Sequence, residues 1–253
     1  MKNGIVVRVA VFFSVCVLSS SVLAAEIKVA AAADLKFAMD EIIEKYQNLH
    51  PEEKVSAIYG ASGIIATQIK EGAPFDLFFS ADTEKIESLI KAGKTVGETF
   101  SYGHGHVVVW VKNESKLTLD GALKCLLDPG IKKIAVANPI SAPYGKIAAE
   151  ALKNAGLYDQ LSGKMVVGEN IAQTAQFVES SAADVGLIAK SLALSPVLKK
   201  QGRFTEVDSS LYVPLLQSGA IIKGANVAST QKFKDYFLSA AGGNVLNAFG
   251  LGR

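Results

Sequence analysis

Apolar residues along this chain follow two alternating rhythms, one of strands and one of helices. Residues 26–32 form a short apolar run that reads as a buried strand, and Leu35, Ala38, Met39, Ile42, Ile43 and Tyr46 then recur at helical spacing. Residues 55–59 give a second strand, after which Gly60-Ala61-Ser62-Gly63 leads into a helix carrying Ile64, Ile65 and Ile69. The unit repeats with a strand over 75–81, a helix marked by Ile86, Leu89 and Ile90 that ends near Gly93, and a continuous apolar strand over 106–111. A second set begins with a strand at 134–137. It continues with a helix over about 144–155, with Ile147, Ala148, Ala151 and Leu152 on its apolar stripe. A strand at 165–167, a helix opened by Asn170-Ile171 and a strand at 184–189 follow. The tail reads as a strand over 212–222 and helices over 230–240 and 244–249. Strands alternating with helices specify α/β architecture with mostly parallel sheets covered on both faces. Ligands of such sheets sit where strand C-terminal ends meet helix starts, and two sets can face each other across one cleft.

The first residues belong to a different class. Met1-Lys2 and Arg8 precede an uncharged run from Val9 to Val22, which ends in Val22-Leu23-Ala24-Ala25 with small residues where a signal peptidase cuts. This reads as a cleaved secretory signal peptide over residues 1–24, because the run is shorter than the roughly 20 residues that span a bilayer. Its removal takes Lys2 and Arg8 and no acid from a chain of 26 basic and 24 acidic residues, so the exported chain is close to neutral. A neutral chain lacks the clustered basic charge that nucleic acid or an anionic membrane requires, and any anion it binds must be held locally. Of the two cysteines, Cys16 leaves with the signal peptide and Cys125 remains, so no disulfide framework supports the fold. Phe13-Ser14-Val15 before Cys16 does not resemble a lipoprotein cleavage sequence. The product is expected free in the periplasm rather than lipid-anchored.

Candidate chemistry lies at four junctions: Ala33-Asp34, Ser62-Gly63, Pro143-Tyr144-Gly145 and Asn170-Ile171. Each exposes backbone N–H groups at a helix start, where unpaired donors and the positive end of the helix dipole favour an oxyanion without any Lys or Arg. Singly, each has an ordinary structural explanation: Asp34 reads as an N-cap and Pro143 as a first-turn proline. Together they suit a neutral protein that selects one anion.

At this point the chain resembles a known family. Ala31-Ala32-Ala33-Asp34-Leu35, Ala61-Ser62-Gly63, Gln68-Ile69, Gly72-Ala73-Pro74-Phe75-Asp76, Ser80-Ala81-Asp82, Asn138-Pro139, Ala142-Pro143-Tyr144-Gly145 and Asp184-Val185-Gly186 resemble, in this order, the periplasmic molybdate-binding proteins of ABC transporters, the ModA family. The resemblance implies a type II periplasmic-binding-protein fold with two α/β lobes joined by two crossover strands around a ligand cleft. Lobe 1 would take residues 25–106, lobe 2 residues 107–210, and residues 211–253 would return to lobe 1. It implies a non-enzymatic, monomeric receptor for molybdate or tungstate, without cofactor or resident metal, that delivers its ligand to a membrane permease. The implied binding residues are Asp34, Ser62, Tyr144 and Ile171. Ser62 would offer hydroxyl and N–H, and the other three mainly backbone N–H. Two positions depart from the pattern. Asp34 stands where some members carry serine or asparagine, and its carboxylate is expected to turn away as an N-cap while its N–H faces the ligand. Ala189 stands where some members supply a tyrosine hydroxyl, which Tyr144 or water would replace.

Competing readings are weaker. His104-Gly105-His106 lacks a third metal ligand and reads as a turn before a strand. Gly60-Ala61-Ser62-Gly63 approaches a nucleophile elbow, but Ile64 occupies the position of the final glycine. A hydrolase built on Ser62, His104 and Asp82 is the rival from a different class, and a receptor for sulfate or another tetrahedral oxyanion is the rival within the same class. No phosphate-binding Gly-x-x-x-x-Gly-Lys-Ser/Thr motif occurs, so transport energy would come from a separate subunit. Trp110 reads as a core or hinge residue, Lys199-Lys200 as solvated surface, and Cys125 as a free thiol without a role.

Overall fold

The computed structural model describes residues 26–252, so the expected signal peptide, its cleavage site and Cys16 lie outside the described residues. The first half runs β1 (Glu26–Ala32), a 3-10 turn (Ala33–Leu35), α1 (Lys36–Leu49), β2 (Lys54–Gly60), α2 (Ser62–Lys70), β3 (Leu77–Ser80), α3 (Thr83–Lys91) and β4 (Thr95–Gly105). Only His106 then separates β4 from β5 (Val107–Lys112). The second half follows with β6 (Ile134–Ala137), α4 (Pro143–Asn154), α5 (Tyr158–Leu161), β7 (Met165–Gly168), α6 (Ile171–Glu179), β8 (Val185–Ala189), α7 (Lys190–Ala193), α8 (Pro196–Gln201) and β9 (Gly202–Glu206). The tail is β10 (Leu215–Ile222), α9 (Val227–Leu238) and α10 (Ala240–Ala248).

The strands form two five-stranded open sheets, ordered β2-β1-β3-β10-β4 and β7-β6-β8-β5-β9. The two orders are topologically the same. In each lobe three strands linked by helices pair in parallel, β2-β1-β3 in one and β7-β6-β8 in the other. A strand that arrives from a crossing of the lobes is then inserted antiparallel to both its neighbours: β10 between β3 and β4, and β5 between β8 and β9. This is the two-lobed α/β fold expected from the sequence. Helix-linked strands pair in parallel because each helical crossover returns the chain to the same end of its sheet, whereas β5 and β10 enter directly from the other lobe and run the opposite way.

The chain passes between lobes twice, at His106 and through 207–214. Residue 212 is not part of the expected strand. It sits in the second crossing, where the Tyr212 hydroxyl accepts a hydrogen bond from the Val107 N–H at 3.1 Å and ties the two crossings together. Trp110 on β5 is fully buried and packs where a Cβ on Gly202 would lie 2.1 Å from its ring. Cys125 is a half-buried free thiol whose pKa is pushed up to about 11, mainly by burial.

Lobe 1 closes its core with the returning tail. Phe237 of α9 is fully buried with its ring centroid 4.4 Å from Phe79 and 5.7 Å from Tyr102, while Phe233 meets Tyr46 edge-on at 5.1 Å. Lobe 2 shares a continuous core with the C-terminal ends of β1 and β3 and the start of α2: Ala32, Ala33, Ala61 and Ala81 pack in the same buried cluster as Val107, Tyr144 and Ile171. The small side chains at these four positions let the lobes approach closely.

Truncating Phe237 to alanine should cost about 3–5 kcal/mol, the usual range for an aromatic residue lost from a packed core. Urea denaturation of both proteins measures it, and a loss below about 1 kcal/mol would mean that the tail is not part of the lobe 1 core.

Candidate functional site

All four junctions singled out by sequence converge on the surface between the lobes. The 3-10 turn bearing Asp34 packs against α6 and α7 of the other lobe. Gly63, in the first turn of α2, donates its N–H to the Ser141 carbonyl just before α4 at 3.0 Å. A Cβ on Gly63 would lie 2.7 Å from that carbonyl oxygen, so the contact requires glycine. The Tyr144 hydroxyl reaches Asp34 Oδ2 at 3.0 Å, and the Ser191 hydroxyl donates to the Asp34 carbonyl at 2.8 Å. An exposed ion pair between Lys146 and Glu84 at 3.0 Å also spans the lobes, but at that exposure it contributes little. Asp34, Ser62 and Tyr144 are each 1 % exposed and Ile171 is 4 % exposed, so the cleft is shielded from solvent.

Local sequence at each helix start keeps one amide uncommitted. In α6 the Asn170 side chain caps the Ala172 and Gln173 N–H groups at 3.0 Å each and leaves that of Ile171. In α4 the first residue is Pro143, which has no N–H, so Tyr144 carries the first donor. In α2 the Ala61 cap offers no side-chain acceptor, and with Gly63 bound to Ser141 the Ser62 N–H stays open. None of these three amides has a hydrogen-bond partner among the described residues. The Ser62 hydroxyl accepts from the Ala81 N–H at 3.1 Å, which occupies a lone pair and directs its proton elsewhere.

Asp34 departs from expectation. Its side chain caps no helix: the residue at the N-terminal cap of α1 is Leu35, and neither the 3-10 turn nor α1 has a side-chain cap. The inserted turn carries Asp34 past the capping position and into the cleft. There Oδ2 accepts from Gln217 Nε2 at 2.6 Å and from the Tyr144 hydroxyl, while Oδ1 is buried with no partner among the described residues. Burial pushes this carboxyl up to about 6, against the opposing pull of hydrogen bonds from Gln217, Tyr144 and its own backbone N–H. Burial, followed by the Asp34 charge, raises the Tyr144 hydroxyl well above the usual tyrosine range.

Gln217 and Ser191 are contributors that sequence reasoning missed. Gln217 is fully buried on β10 and also donates to the Tyr144 hydroxyl at 3.2 Å. A lone amide in the apolar run LLQSGAII was its only signal, and Ser191 had none. Gly105 makes room for this cluster, since a Cβ there would lie 2.4 Å from the Tyr144 hydroxyl. Ala189 is fully buried at the end of β8, and the Tyr144 hydroxyl is engaged by Asp34 and Gln217.

The rival constellations do not assemble. No histidine bonds to Ser62 among the described residues. The Asp82 carboxylate caps α3 through the Lys85 N–H, and the exposed His104 is held through its backbone by Gly252. No group of three or more metal-ligating side chains occurs among the described residues.

Two α/β lobes of matched topology, crossed twice by the chain and closed over a shielded polar site, define a cleft-type solute-binding protein. The family model for bacterial extracellular solute-binding proteins matches residues 27–252. The chain is 33 % identical over 247 residues to the molybdate-binding protein ModA of Azotobacter vinelandii, covering 97 % of each. The solved periplasmic molybdate-binding protein of that organism superposes with a TM-score of 0.83 at 28 % identity, covering 88 % of this chain and 97 % of that one. The sulfate-binding protein SubI of Mycobacterium tuberculosis shares the fold alone, with a TM-score of 0.76 at 16 % identity over 89 % of this chain and 85 % of that one. The chain belongs to the bacterial extracellular solute-binding protein family, and within it to the ModA group.

Asp34 makes stability depend on pH with a defined sign. Its carboxyl holds a proton up to about pH 6 when folded and to about 3.8 when not, so the folded state binds more protons in that window and stability falls as pH rises through it. Asp34→Asn should therefore raise the thermal midpoint relative to the parent at about pH 7 by more than at about pH 4. An equal difference at both values would mean that Asp34 is not the buried acid described.

Proposed function

We propose that this protein is an exported, non-enzymatic receptor that closes its lobes around molybdate, or tungstate of nearly the same size, and presents it to the membrane permease of an ABC transporter. The observation that carries this reading is the set of uncommitted helix-start amides at Ser62, Tyr144 and Ile171, contributed by both lobes and joined by a Ser62 hydroxyl with its proton free. Fixed dipoles of this kind stabilise an oxyanion without a counter-charge, and no Lys, Arg or His side chain hydrogen-bonds to any of these residues or to Asp34 among the described residues. ModA relatives of matching length that are described as molybdate-binding support the choice of anion.

Closure follows from the same geometry. Amides on α2 belong to one lobe and those on α4 and α6 to the other, so a ligand gains all its contacts only when the lobes are together and thereby shifts the population towards the closed form. Donors held on rigid helices discriminate by size. Sulfate is smaller than molybdate and cannot reach all of them at hydrogen-bonding distance. The leader sequence supports a free periplasmic product, and the near-neutral chain argues against nucleic acid as a partner.

Isothermal titration calorimetry with molybdate, tungstate, sulfate and phosphate tests the reading. Binding of the first two alone, one per chain, is expected. Binding of sulfate alone would replace the ligand assignment, and silence with all four would overturn the receptor reading. Ser62→Ala removes a hydrogen bond to a charged ligand, worth about 1.5–3 kcal/mol, and should weaken molybdate binding by about ten- to a hundredfold. An unchanged affinity would remove Ser62 from the site.

A further inference from the structure

Among the described residues that meet between the lobes, Asp34 carries the carboxylate whose charge opposes a bound anion. Relief by swinging the side chain out is blocked: the residue is buried, Oδ2 is held by two donors, and Ser191 clamps its carbonyl. Tyr144 has a single hydroxyl proton, which it gives to Oδ2, so it cannot also serve Oδ1. Oδ1 is thus a buried acceptor with no hydrogen-bond partner among the described residues, on the 3-10 turn that packs against α6 of the other lobe. A proton placed on Oδ1 preserves both bonds to Oδ2, removes the like charge and turns a bare acceptor into a donor.

Building on the receptor reading, we propose that the anion-loaded cleft holds Asp34 as a neutral carboxylic acid, protonated on Oδ1 and donating to a ligand oxygen. Each anion then enters together with one proton taken from solvent. The net reaction is a carboxylate plus a solvent proton plus the dianion giving a carboxylic acid hydrogen-bonded to the dianion, and no other bond is made or broken.

Among the described residues no cation hydrogen-bonds or pairs with the carboxyl to supply the charge balance instead. Tyr144 of α4, Tyr102 of β4 and Gln217 of β10 act on the carboxyl, Ser191 of α7 holds the Asp34 carbonyl, and all are neutral. On the elements packed against the 3-10 turn, Lys36 of α1 and Tyr59 of β2 are both engaged by Asp40, and Lys190 of α7 by Glu206. The acids of α1 (Asp40, Glu41 and Glu44) and Glu179 of α6 bring no positive charge. His104 and His106 flank Gly105 beside the Tyr144 hydroxyl, with His106 held below the usual histidine range by burial and by Lys190. The carboxyl of Asp34 is already raised to about 6 by burial, so bringing a dianion beside it needs only a further rise to keep it protonated at neutral pH.

Calorimetric titration of the exported chain with molybdate at about pH 8, in three buffers of different ionisation enthalpy, counts the protons taken up. The expected result is close to one proton per anion, with Kd rising towards tenfold per pH unit between about pH 7 and pH 9. Asp34→Asn, which keeps a donor but cannot titrate, should bind with no proton uptake and with an affinity independent of pH. Parent binding without proton uptake would overturn the inference and leave the receptor reading standing, as would the same uptake in the asparagine variant. The parent count decides alone if that variant does not fold. No binding of molybdate by the parent at any pH would overturn both.

Discussion

A helix start that is to hold an anion must leave a backbone N–H uncommitted without leaving the rest of its first turn unsatisfied. Here each start meets this constraint differently. Asn170 spends its side chain on the second and third amides of α6, Pro143 removes a donor at the first position of α4, and Gly63 sends its N–H across the cleft to Ser141. The result is one spare donor per helix in a shielded space, which is costly unless something fills that role. The proposed oxyanion is the ligand whose chemistry matches the cost.

Topology makes those donors meet. Each lobe takes a strand inserted antiparallel after a crossing, so the two sheets have the same strand order and each presents helix starts to the other. Alanines at the contact permit the approach, and Tyr212 on the second crossing anchors the start of β5 on the first. Closure and binding are therefore a single event in the proposed mechanism, because neither lobe carries the full set of donors.

Asp34 runs against this design. Its carboxyl is buried between the lobes, is held by Tyr144 and Gln217, and has been pushed upward by loss of solvent. A buried acid next to a bound anion is tolerable only as the neutral form, and the protonation proposed here turns that liability into an additional donor. The Tyr144 hydroxyl gives its single proton to this carboxyl, which ties the start of α4 to the 3-10 turn of the other lobe.

By itself the sequence determined which segments extend as strands and which wind. Periodicity placed the helix-linked strands and most helices, and Asn170 and Pro143 marked two helix starts, because capping and side-chain period are local effects carried by neighbouring residues. It also contained the ordered motifs that resemble the ModA family. It did not reveal β4, where Gly97, Gly103 and Gly105 and exposed polar positions break the apolar pattern, or β9, whose residues are only half-buried. Nor could it direct the Asp34 side chain. Local rules made that residue an N-cap, whereas its partners lie 110 and 183 residues further along the chain at Tyr144 and Gln217. Only the tertiary structure decided that contact, because burial and hydrogen bonding between the lobes exist only once the chain has crossed between them and returned.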